Sequence, residues 1–414
     1  MADSPLLEGL LVVEFANVLA GPATGMFLAE QGARVIKVEN PATGGDPTRG
    51  WTLPGEAAPG GVSGYFASTN WGKESIALDL RSAEGQAVAR DLAARADVVL
   101  HSYKPGDETR LGLDEPRLRR ASPALIYGAI SAYGPDDPRP GFDAIIQAEA
   151  GFMYLNGDPD GPPIKMPVAL MDLLAAHQMK EAVLLALLRR ERTGQGASIH
   201  VSLLQAGIAA LANQASNWLM GGPLPQRLGS AHPNVVPYGT RYASANGDWI
   251  VLAVGTDRQF AALTRALEVP GLAEDPRFAA NAERVRHREA LDALLQQCFA
   301  ARDTASLEQA LAREGVPSAP IKDMAAVFAE PAAAACILTS PATADGASGT
   351  SARAVRTAIF TGDLPRTVPG APPALGADGP HVLRELLGYA DERIAALKSA
   401  GVVLAPGTDS SRSS

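Results

Sequence analysis

The residue best placed to do chemistry is Asp172, which follows a short apolar, strand-like run at residues 166–170. Helical spacing then extends over residues 172–193. A carboxylate at the start of a helix accepts backbone N–H bonds and lies at the positive end of the helix dipole, so we expect it to stay ionised. Such a residue is either a plain helix N-cap or a carboxylate nucleophile presented at a strand-to-helix turn. The local pattern alone favours the cap.

The segments that precede Asp172 alternate between strand-like and helix-like patterns. We predict strands at residues 10–15, 33–39, 75–80, 97–102 and 125–131, with helices at residues 23–31 and 82–94. This alternation is typical of a doubly wound α/β sheet with parallel strands, which binds small molecules at the carboxyl ends of its strands. The first turn lacks G-x-G-x-x-G, and Pro22 has no N–H to offer a pyrophosphate, so we exclude an NAD site.

The second half of the chain contains the clearest breaker cluster, at residues 221–225. We predict a strand at 198–201, a long helix at 202–220, a hairpin at 238–254, helices at 257–267, 285–300, 304–314, 381–387 and 391–400, and a loop at 332–351. The predicted organisation is a large α/β domain built from residues 1–221 and 331–403. A smaller inserted α+β domain covers residues 222–330, and residues 404–414 form a disordered tail.

Composition excludes several classes of protein. The 414 residues carry a formal net charge of −9, which argues against nucleic acid or an anionic membrane as a partner. Two cysteines are too few for a disulfide scaffold or a zinc cluster, and the six histidines are not paired at metal-ligand spacing, so we expect no metal site. No apolar run approaches the roughly 20 residues of a membrane span. Because no basic segment precedes an apolar core at the N-terminus, we expect a cytoplasmic protein.

Seven segments in chain order give the sequence a specific resemblance. They are LLVVEFANVLAGPATGMFLAEQGARVIKVENP, GKESIALDLRSAEGQ, ADVVLHSYKPG followed by TRLGLD, PGFDAIIQAEAG, VALMDLLAAH, RRERTGQGASIHVSL and LGSAHPNVVPY. Together they resemble the family III CoA-transferases, the superfamily of formyl-CoA transferase, carnitine CoA-transferase and methylacyl-CoA racemase. The resemblance implies an enzyme of class EC 2.8.3, a Rossmann-like large domain and an interlocked homodimer. It also implies a coenzyme A thioester as substrate, with no permanently bound cofactor.

The resemblance assigns Asp172 a covalent role. In such enzymes the aspartate of the VALMDLL segment attacks the donor thioester and becomes an aspartyl-CoA thioester, from which the acceptor carboxylate takes the CoA. Splitting the exchange into steps of similar energy requires neither ATP nor a metal.

Contacts to CoA are implied at thirteen positions. They are Leu19, Ala20, Asn40, Leu78, Asp79, Leu80, Arg81, Ser102, Tyr103, Lys104, Arg110, Phe142 and Asp143. Arg81 either binds the 3′-phosphate or is an ordinary surface arginine, and Arg110 can pair with another phosphate. Ser102 lacks the amide, and Asn40 the charge, that related chains place there, so these two contacts are weaker.

Two alternatives to a self-sufficient transferase stay open. The racemases place a histidine where this chain has Phe142, and racemisation needs an acid and a base on opposite faces of the substrate. Phe142 cannot transfer a proton. His101 and His177 are substitutes by position only, and we expect His177 to be a packed or hydrogen-bonded structural residue. The weaker contacts at Ser102 and Asn40 leave room for a transferase subunit that depends on a partner chain.

The acceptor is suggested by the segment RLGSAHPNVVPY. It lacks the glycine run of oxalate-type transferases and resembles chains that pair succinyl-CoA with a second dicarboxylic acid, such as glutarate, malate, citramalate, itaconate or mesaconate. Ser230, His232 and Asn234 either donate hydrogen bonds to the distal carboxylate or simply shape the loop before the hairpin.

Overall fold

The computed structural model describes residues 4–56, 58, 62–340, 351–360, 362–365 and 367–404. Of the predicted disordered tail, residues 405–414 lie outside this part of the chain. The chain folds into two compact units. The larger unit comprises Met1–Ala150, Pro167–Ala212 and Ala334–Ser414, and the smaller comprises Gly151–Met166 and Asn213–Ala333. Residues 151–166, 213–221 and 331–333, which the sequence prediction placed in the large domain, group with the smaller unit.

The strands of the larger unit form one long sheet and one short hairpin, and those of the smaller unit form a second sheet. In chain order the strands are β1 (Leu11–Phe15), β2 (Arg34–Glu39), β3 (Lys73–Leu78), β4 (Val98–His101), β5 (Ile126–Ser131), β6 (Ser198–Ser202), β7 (Tyr238–Ala243), β8 (Trp249–Ala253), β9 (Ser318–Pro320), β10 (Ile337–Thr339), β11 (Arg353–Val355) and β12 (Val403–Leu404).

The helices alternate with these strands in the first third of the chain. In chain order they are α1 (Ala20–Glu30), α2 (Gly64–Ala67), α3 (Ala83–Arg95), α4 (Asp107–Leu111), α5 (Glu115–Ala121), α6 (Asp143–Glu149), α7 (Phe152–Leu155), α8 (Leu170–Thr193), α9 (Leu203–Ala209), α10 (Ala212–Leu219), α11 (Asp257–Ala266), α12 (Asn281–Arg286), α13 (Arg288–Ala300), α14 (Thr304–Arg313), α15 (Met324–Ala329), α16 (Gly379–Glu385) and α17 (Asp391–Ser399). Short 3₁₀ turns include Pro41–Thr43 and Pro47–Gly50.

The long sheet has seven strands in the order β12-β3-β2-β1-β4-β5-β6. All neighbours are parallel except β12, which runs antiparallel to β3. The order reverses between β1 and β4, which is the switch point at which open α/β sheets bind their ligands. The predicted α/β fold with a doubly wound sheet is confirmed.

Both faces of this sheet are covered. One face packs on α3, α16 and α17 through a core that includes Val13, Ile36 and Leu92. On the other face α1, buried along its whole length, packs against α8. Because side chains alternate along a strand, Glu14 and Lys37 point to the face opposite Val13 and Ile36. The charged side chains of Glu14 and Lys37 are therefore buried on the face of the sheet that α1 covers.

Sequence reasoning placed the early elements well and some later ones wrongly. The single helix predicted at residues 202–220 is two helices, α9 and α10, and Ala212 at the break has a φ of 48°. The loop predicted at 332–351 contains β10, and its residues 341–350 lie outside the described part. The smaller unit contains the expected hairpin, β7 and β8, extended by the unpredicted β9.

Among the described residues, no helix is long and apolar enough to cross a membrane.

Candidate functional site

The first turn of the sheet and the end of β4 meet at the topological switch point. The turn follows β1, and Ser102 follows β4, the neighbour of β1. The Ser102 hydroxyl accepts a hydrogen bond of 3.1 Å from the backbone N–H of Asn17. Ser102 therefore anchors the turn after β1. Its hydroxyl is sufficient for this bond, although related chains have a side-chain amide at this position.

A pocket of about 220 Å³ opens at this point. It is lined by Asn17, Val18, Leu19, Ala20, Gly21, Ser102, Ile130, Ser131, Ala132, Gly141, Phe142, Asp172 and Leu203. Five residues singled out from the sequence therefore line one cavity, at the end of the sheet where such folds bind small molecules. They are Leu19, Ala20, Ser102, Phe142 and Asp172.

Asp172 is the third residue of α8, whose N-cap is Ala169. It is therefore not the plain N-cap that the local sequence pattern favoured. Asp172 is partly buried, and this burial, together with the nearby charge of Asp143, raises the pKa of Asp172 to about 7. The sequence prediction considered only the helix dipole, which favours the ionised form, whereas burial and the charge of Asp143 favour the protonated form of this carboxyl group.

Asp143 is buried beside the start of α8. Its Oδ1 accepts a 2.8 Å hydrogen bond from the N–H of Met171, and its Oδ2 accepts a 2.8 Å bond from Gln147 Nε2. Both carboxylate oxygens are thus engaged within the protein. The geometry supports a structural role for Asp143 rather than the CoA contact that the resemblance implied.

Four charged side chains that sequence reasoning overlooked lie beneath the first turn. Glu14, Lys37, Asp46 and Lys73 have no exposed side-chain surface and form ion pairs of 2.9–3.2 Å. We call them the buried charge cluster. A signal was available, because Glu14 and Lys37 each follow an apolar pair within a strand of a parallel sheet that must be buried on both faces. In addition, a Cβ on Gly25 would lie 1.9 Å from Glu14 Oε2.

The basic candidates for phosphate binding lie on the surface of the larger unit. Arg81 pairs with Asp79 (Nε to Oδ1, 3.0 Å), and Arg110 pairs with Asp107 (Nη2 to Oδ1, 2.8 Å). Lys104 is also exposed. Exposed pairs of this kind contribute little to stability, so both guanidinium groups can bind another anion at low cost.

The other implied CoA contacts have structural partners. Asn40 caps a 3₁₀ turn by accepting a 3.0 Å bond from the N–H of Ala42. Leu78 is fully buried in the core, which leaves it only its backbone for a ligand, and Leu80 packs against the same core.

Tyr103 lines a second cavity of about 210 Å³, together with the buried His101. The rings of these two residues are stacked with centroids 5.5 Å apart, and His101 Nδ1 accepts a 3.3 Å bond from the N–H of Tyr103. Burial lowers the pKa of His101 to about 3, so this histidine is neutral at physiological pH.

The histidines do not complete a racemase site. His101 lines the second cavity and not the one that contains Asp172. His177 is exposed on α8, so the packed alternative that we considered for this histidine is wrong, and it does not line the Asp172 pocket. Phe142, 65% exposed, lines the Asp172 pocket, and its side chain can act neither as an acid nor as a base.

The three predicted acceptor contacts lie in the smaller unit. His232 Nδ1 accepts a 3.1 Å bond from the N–H of Asn234, and its ring packs edge-on against Tyr238. The Asn234 amide oxygen accepts a 2.8 Å bond from Asn217 Nδ2. Ser230 is exposed. These bonds favour the loop-shaping interpretation of His232 and Asn234.

No group of three or more His, Cys, Asp or Glu side chains that could hold a metal ion occurs in the described part of the chain.

Comparison with known proteins agrees with this geometry. The profile of CoA-transferase family III matches residues 7–379. The succinate–glutarate CoA-transferase of Agrobacterium fabrum is 39% identical over 92% of this chain and 96% of its own. Human succinyl-CoA:glutarate CoA-transferase is 34% identical over 96% and 90% of the two chains.

Among solved structures, a CAIB/BAIF family protein from Brucella suis superposes with a TM-score of 0.78 at 38% identity. The match covers 93% of this chain and 100% of that one. A family match over nearly the whole length, with relatives above 30% identity, fixes the assignment: this chain is a family III CoA-transferase, an enzyme of class EC 2.8.3.

Proposed function

We propose that the protein transfers CoA from succinyl-CoA to a second dicarboxylic acid through an aspartyl-CoA thioester on Asp172. The observation that carries this proposal is the position of Asp172. Its carboxylate lines a 220 Å³ pocket at the switch point of the sheet, together with the turn after β1 and Ser102 after β4. Dicarboxylate transferases among its relatives support the substrate class.

The first half of the reaction loads the enzyme. The ionised carboxylate of Asp172 attacks the thioester carbon of succinyl-CoA, the C–S bond breaks, and a mixed anhydride and the CoA thiolate result. The thiolate then attacks the aspartyl carbonyl of the anhydride. Succinate leaves as a carboxylate, and Asp172 carries CoA as a thioester.

The second half reverses these steps with a different acid. The acceptor carboxylate attacks the aspartyl thioester and expels the thiolate, which then attacks the acceptor's acyl carbon. This attack regenerates the Asp172 carboxylate and releases the new acyl-CoA. The overall exchange converts one thioester and one carboxylate into another thioester and another carboxylate, so no external energy source is needed.

The protein contributes position and charge to these steps. Helix α1 begins at Ala20 without a side-chain cap, and its first residues line the pocket. The positive end of the helix dipole therefore stabilises the negative charge that develops on the thioester carbonyl oxygen during the attack. Lys104, Arg81 and Arg110 are the proposed cations for the CoA phosphates.

The acceptor is the part of the proposal that needs direct measurement. Glutarate, malate, citramalate, itaconate and mesaconate differ by a few atoms, and pockets discriminate such differences by only about 1–3 kcal/mol. We place glutarate first in the panel.

The experiment incubates the purified chain with succinyl-CoA and each acid and identifies new acyl-CoA esters by mass spectrometry. Without acceptor, intact-protein mass should show a CoA adduct that hydroxylamine removes. Asp172→Ala should fold normally and form neither product. Exchange by the chain alone excludes dependence on a partner chain. No exchange with any acid, despite a folded protein, refutes the self-sufficient dicarboxylate transferase.

The protein is also proposed to work as an interlocked homodimer. Leu184, Leu185 and Leu188 form an exposed apolar stripe on α8, with 41%, 66% and 48% of their surface accessible. Such a stripe on a long helix supports contact with a second copy. Sedimentation equilibrium should give twice the chain mass, and Leu185→Glu should shift the protein toward monomer. A wild-type monomer that retains full activity contradicts the dimer proposal.

A further inference from the structure

The buried charge cluster lies directly beneath the wall of the Asp172 pocket. Lys73 Nζ lies 2.9 Å from both Glu14 oxygens, and Lys37 Nζ lies 3.2 Å from Glu14 Oε1 and 3.0 Å from Asp46 Oδ2. Two carboxylates and two ammonium groups balance in charge. Removing one member leaves an unpaired buried charge, so the cluster fixes the positions of all four side chains.

One member of the cluster reaches the pocket wall. The Asp46 carboxylate accepts the backbone N–H of Val18, at 3.1 Å to Oδ2 and 3.3 Å to Oδ1. Val18 lines the pocket beside Leu19 and Asp172. Its φ is 69°, in the left-handed region that a β-branched residue rarely adopts. The surroundings must therefore hold this residue in place.

The Asp46 carboxylate is itself held from several sides. Oδ1 accepts bonds from the N–H and hydroxyl of Thr48, at 3.0 and 2.7 Å. Burial opposes ionisation, but the charge of Lys37 and the bonds from Thr48 keep the pKa of Asp46 below its ordinary value. The acceptor of the Val18 N–H is thus a rigid, ionised group, and charged acceptors make the stronger hydrogen bonds.

We propose that Asp46 is a positioning residue of the transferase: through the Val18 N–H it holds the turn after β1 in its left-handed conformation, and so sets the geometry between the acyl-CoA thioester and Asp172. This proposal rests on the proposed function of the pocket. Lys37 forms an ion pair with Asp46, and Lys73 neutralises the charge of Glu14. The buried charge cluster thus stabilises the turn after β1.

The competing interpretation is that Asp46 only caps the 3₁₀ turn Pro47–Gly50 through Thr48. Three variants test the role at Val18, and amide protection of Val18 distinguishes that role from capping of the turn. Lys37→Gln/Asp46→Asn removes both charges and keeps an oxygen that can accept from Val18. Lys37→Gln/Asp46→Ala is equally balanced in charge but has no acceptor. Thr48→Val removes one bond to Asp46 and leaves the Val18 bond intact.

The readouts are kcat and KM for succinyl-CoA, corrected for the folded fraction by circular dichroism. Misplacing a reacting group by about 1 Å costs up to about 100-fold in rate. We expect kcat/KM of the alanine double variant to fall about 10- to 100-fold below that of the asparagine double variant, with Thr48→Val within about twofold of wild type. Equal kcat/KM in the two double variants overturns the proposal, even if the alanine variant is less stable.

A second measurement needs no folded double variant. Amide exchange of the wild-type protein, followed over the peptide that contains Val18, should show a protected N–H that persists in Thr48→Val. A Val18 amide that exchanges as fast as an unstructured one overturns the proposal. If the wild type binds CoA but transfers it to no acid, the proposed function fails.

The role of Asp46 is then tested by comparing amide protection at Val18 and the affinity for CoA between the two double variants.

Discussion

Asp143 accepts a 2.8 Å hydrogen bond from the backbone N–H of Met171, the residue directly before Asp172. The same carboxylate that holds the first turn of α8 therefore places a negative charge near the proposed nucleophile. This charge adds to the effect of burial in raising the pKa of Asp172 to about 7. One interaction thus positions the reactive aspartate and tunes its protonation.

The first prediction concerns the pH dependence of catalysis. Because only the ionised form of Asp172 attacks the thioester, kcat/KM of the wild type should rise with pH through about 7. Asp143→Asn keeps an acceptor for the Met171 N–H but removes the negative charge. The pKa of Asp172 should then fall, and the acid limb should move to lower pH by about one unit.

The control is Asp143→Ala, which removes both the charge and the acceptor. We expect it to shift the acid limb as Asp143→Asn does and also to lower the melting temperature and kcat, because the first turn of α8 loses its anchor. A pH profile that is the same in wild type and Asp143→Asn contradicts the electrostatic role of Asp143.

The second prediction concerns stability. A carboxyl group with a raised folded-state pKa destabilises the folded protein increasingly as pH rises from its unfolded value near 4 to about 7. Asp172→Asn should therefore increase the free energy of unfolding by roughly 1–3 kcal/mol at pH 8. The gain should vanish at about pH 3, below the unfolded value, where the wild-type group is largely protonated in both states. Urea denaturation at the two pH values checks this, and an equal gain at both contradicts it.

Much of the larger unit could be predicted from the sequence because its signals are local. Short apolar runs separated by helical spacing indicated β1 to β5, and each was placed to within about two residues. The long helix predicted at residues 202–220 failed because a break at Ala212, with its φ of 48°, has no glycine or proline to mark it. Such breaks are imposed by packing, which local spacing does not contain.

The residues of the candidate site were predictable from local motifs, whereas their burial and long-range contacts were not. Asp172, Leu19, Ala20, Ser102 and Phe142 were found through motifs, and the structure brings them into one pocket. The raised pKa of Asp172 could not be predicted from the sequence, because burial depends on the whole fold, whereas the helix dipole is a local property. Asp46 was missed because its bond to Val18 joins residues 28 positions apart in sequence. Only the charges within β1 and β2 hinted at it.

The third prediction tests the anchor between the two strand ends. Ser102→Ala removes the acceptor of the Asn17 N–H, a bond of 3.1 Å. A lost hydrogen bond of about 1 kcal/mol should raise KM for succinyl-CoA about fivefold, since Asn17 lines the same pocket. Ser102→Thr retains the hydroxyl and should restore KM toward the wild-type value. If threonine and alanine behave alike, the hydroxyl is not the anchor.

The fourth prediction concerns the 3′-phosphate of CoA. Arg81 is exposed and bound only to its neighbour Asp79 within the described chain, so Arg81→Gln should raise KM for succinyl-CoA about fivefold through loss of one charged contact. KM for succinyl-dephospho-CoA, which lacks that phosphate, should not change. Arg277→Gln is the matched control, because Arg277 makes the same pairing with an aspartate two residues earlier and lies in the smaller unit. Equal losses with both donors mean that Arg81 acts through the fold and does not contact the phosphate.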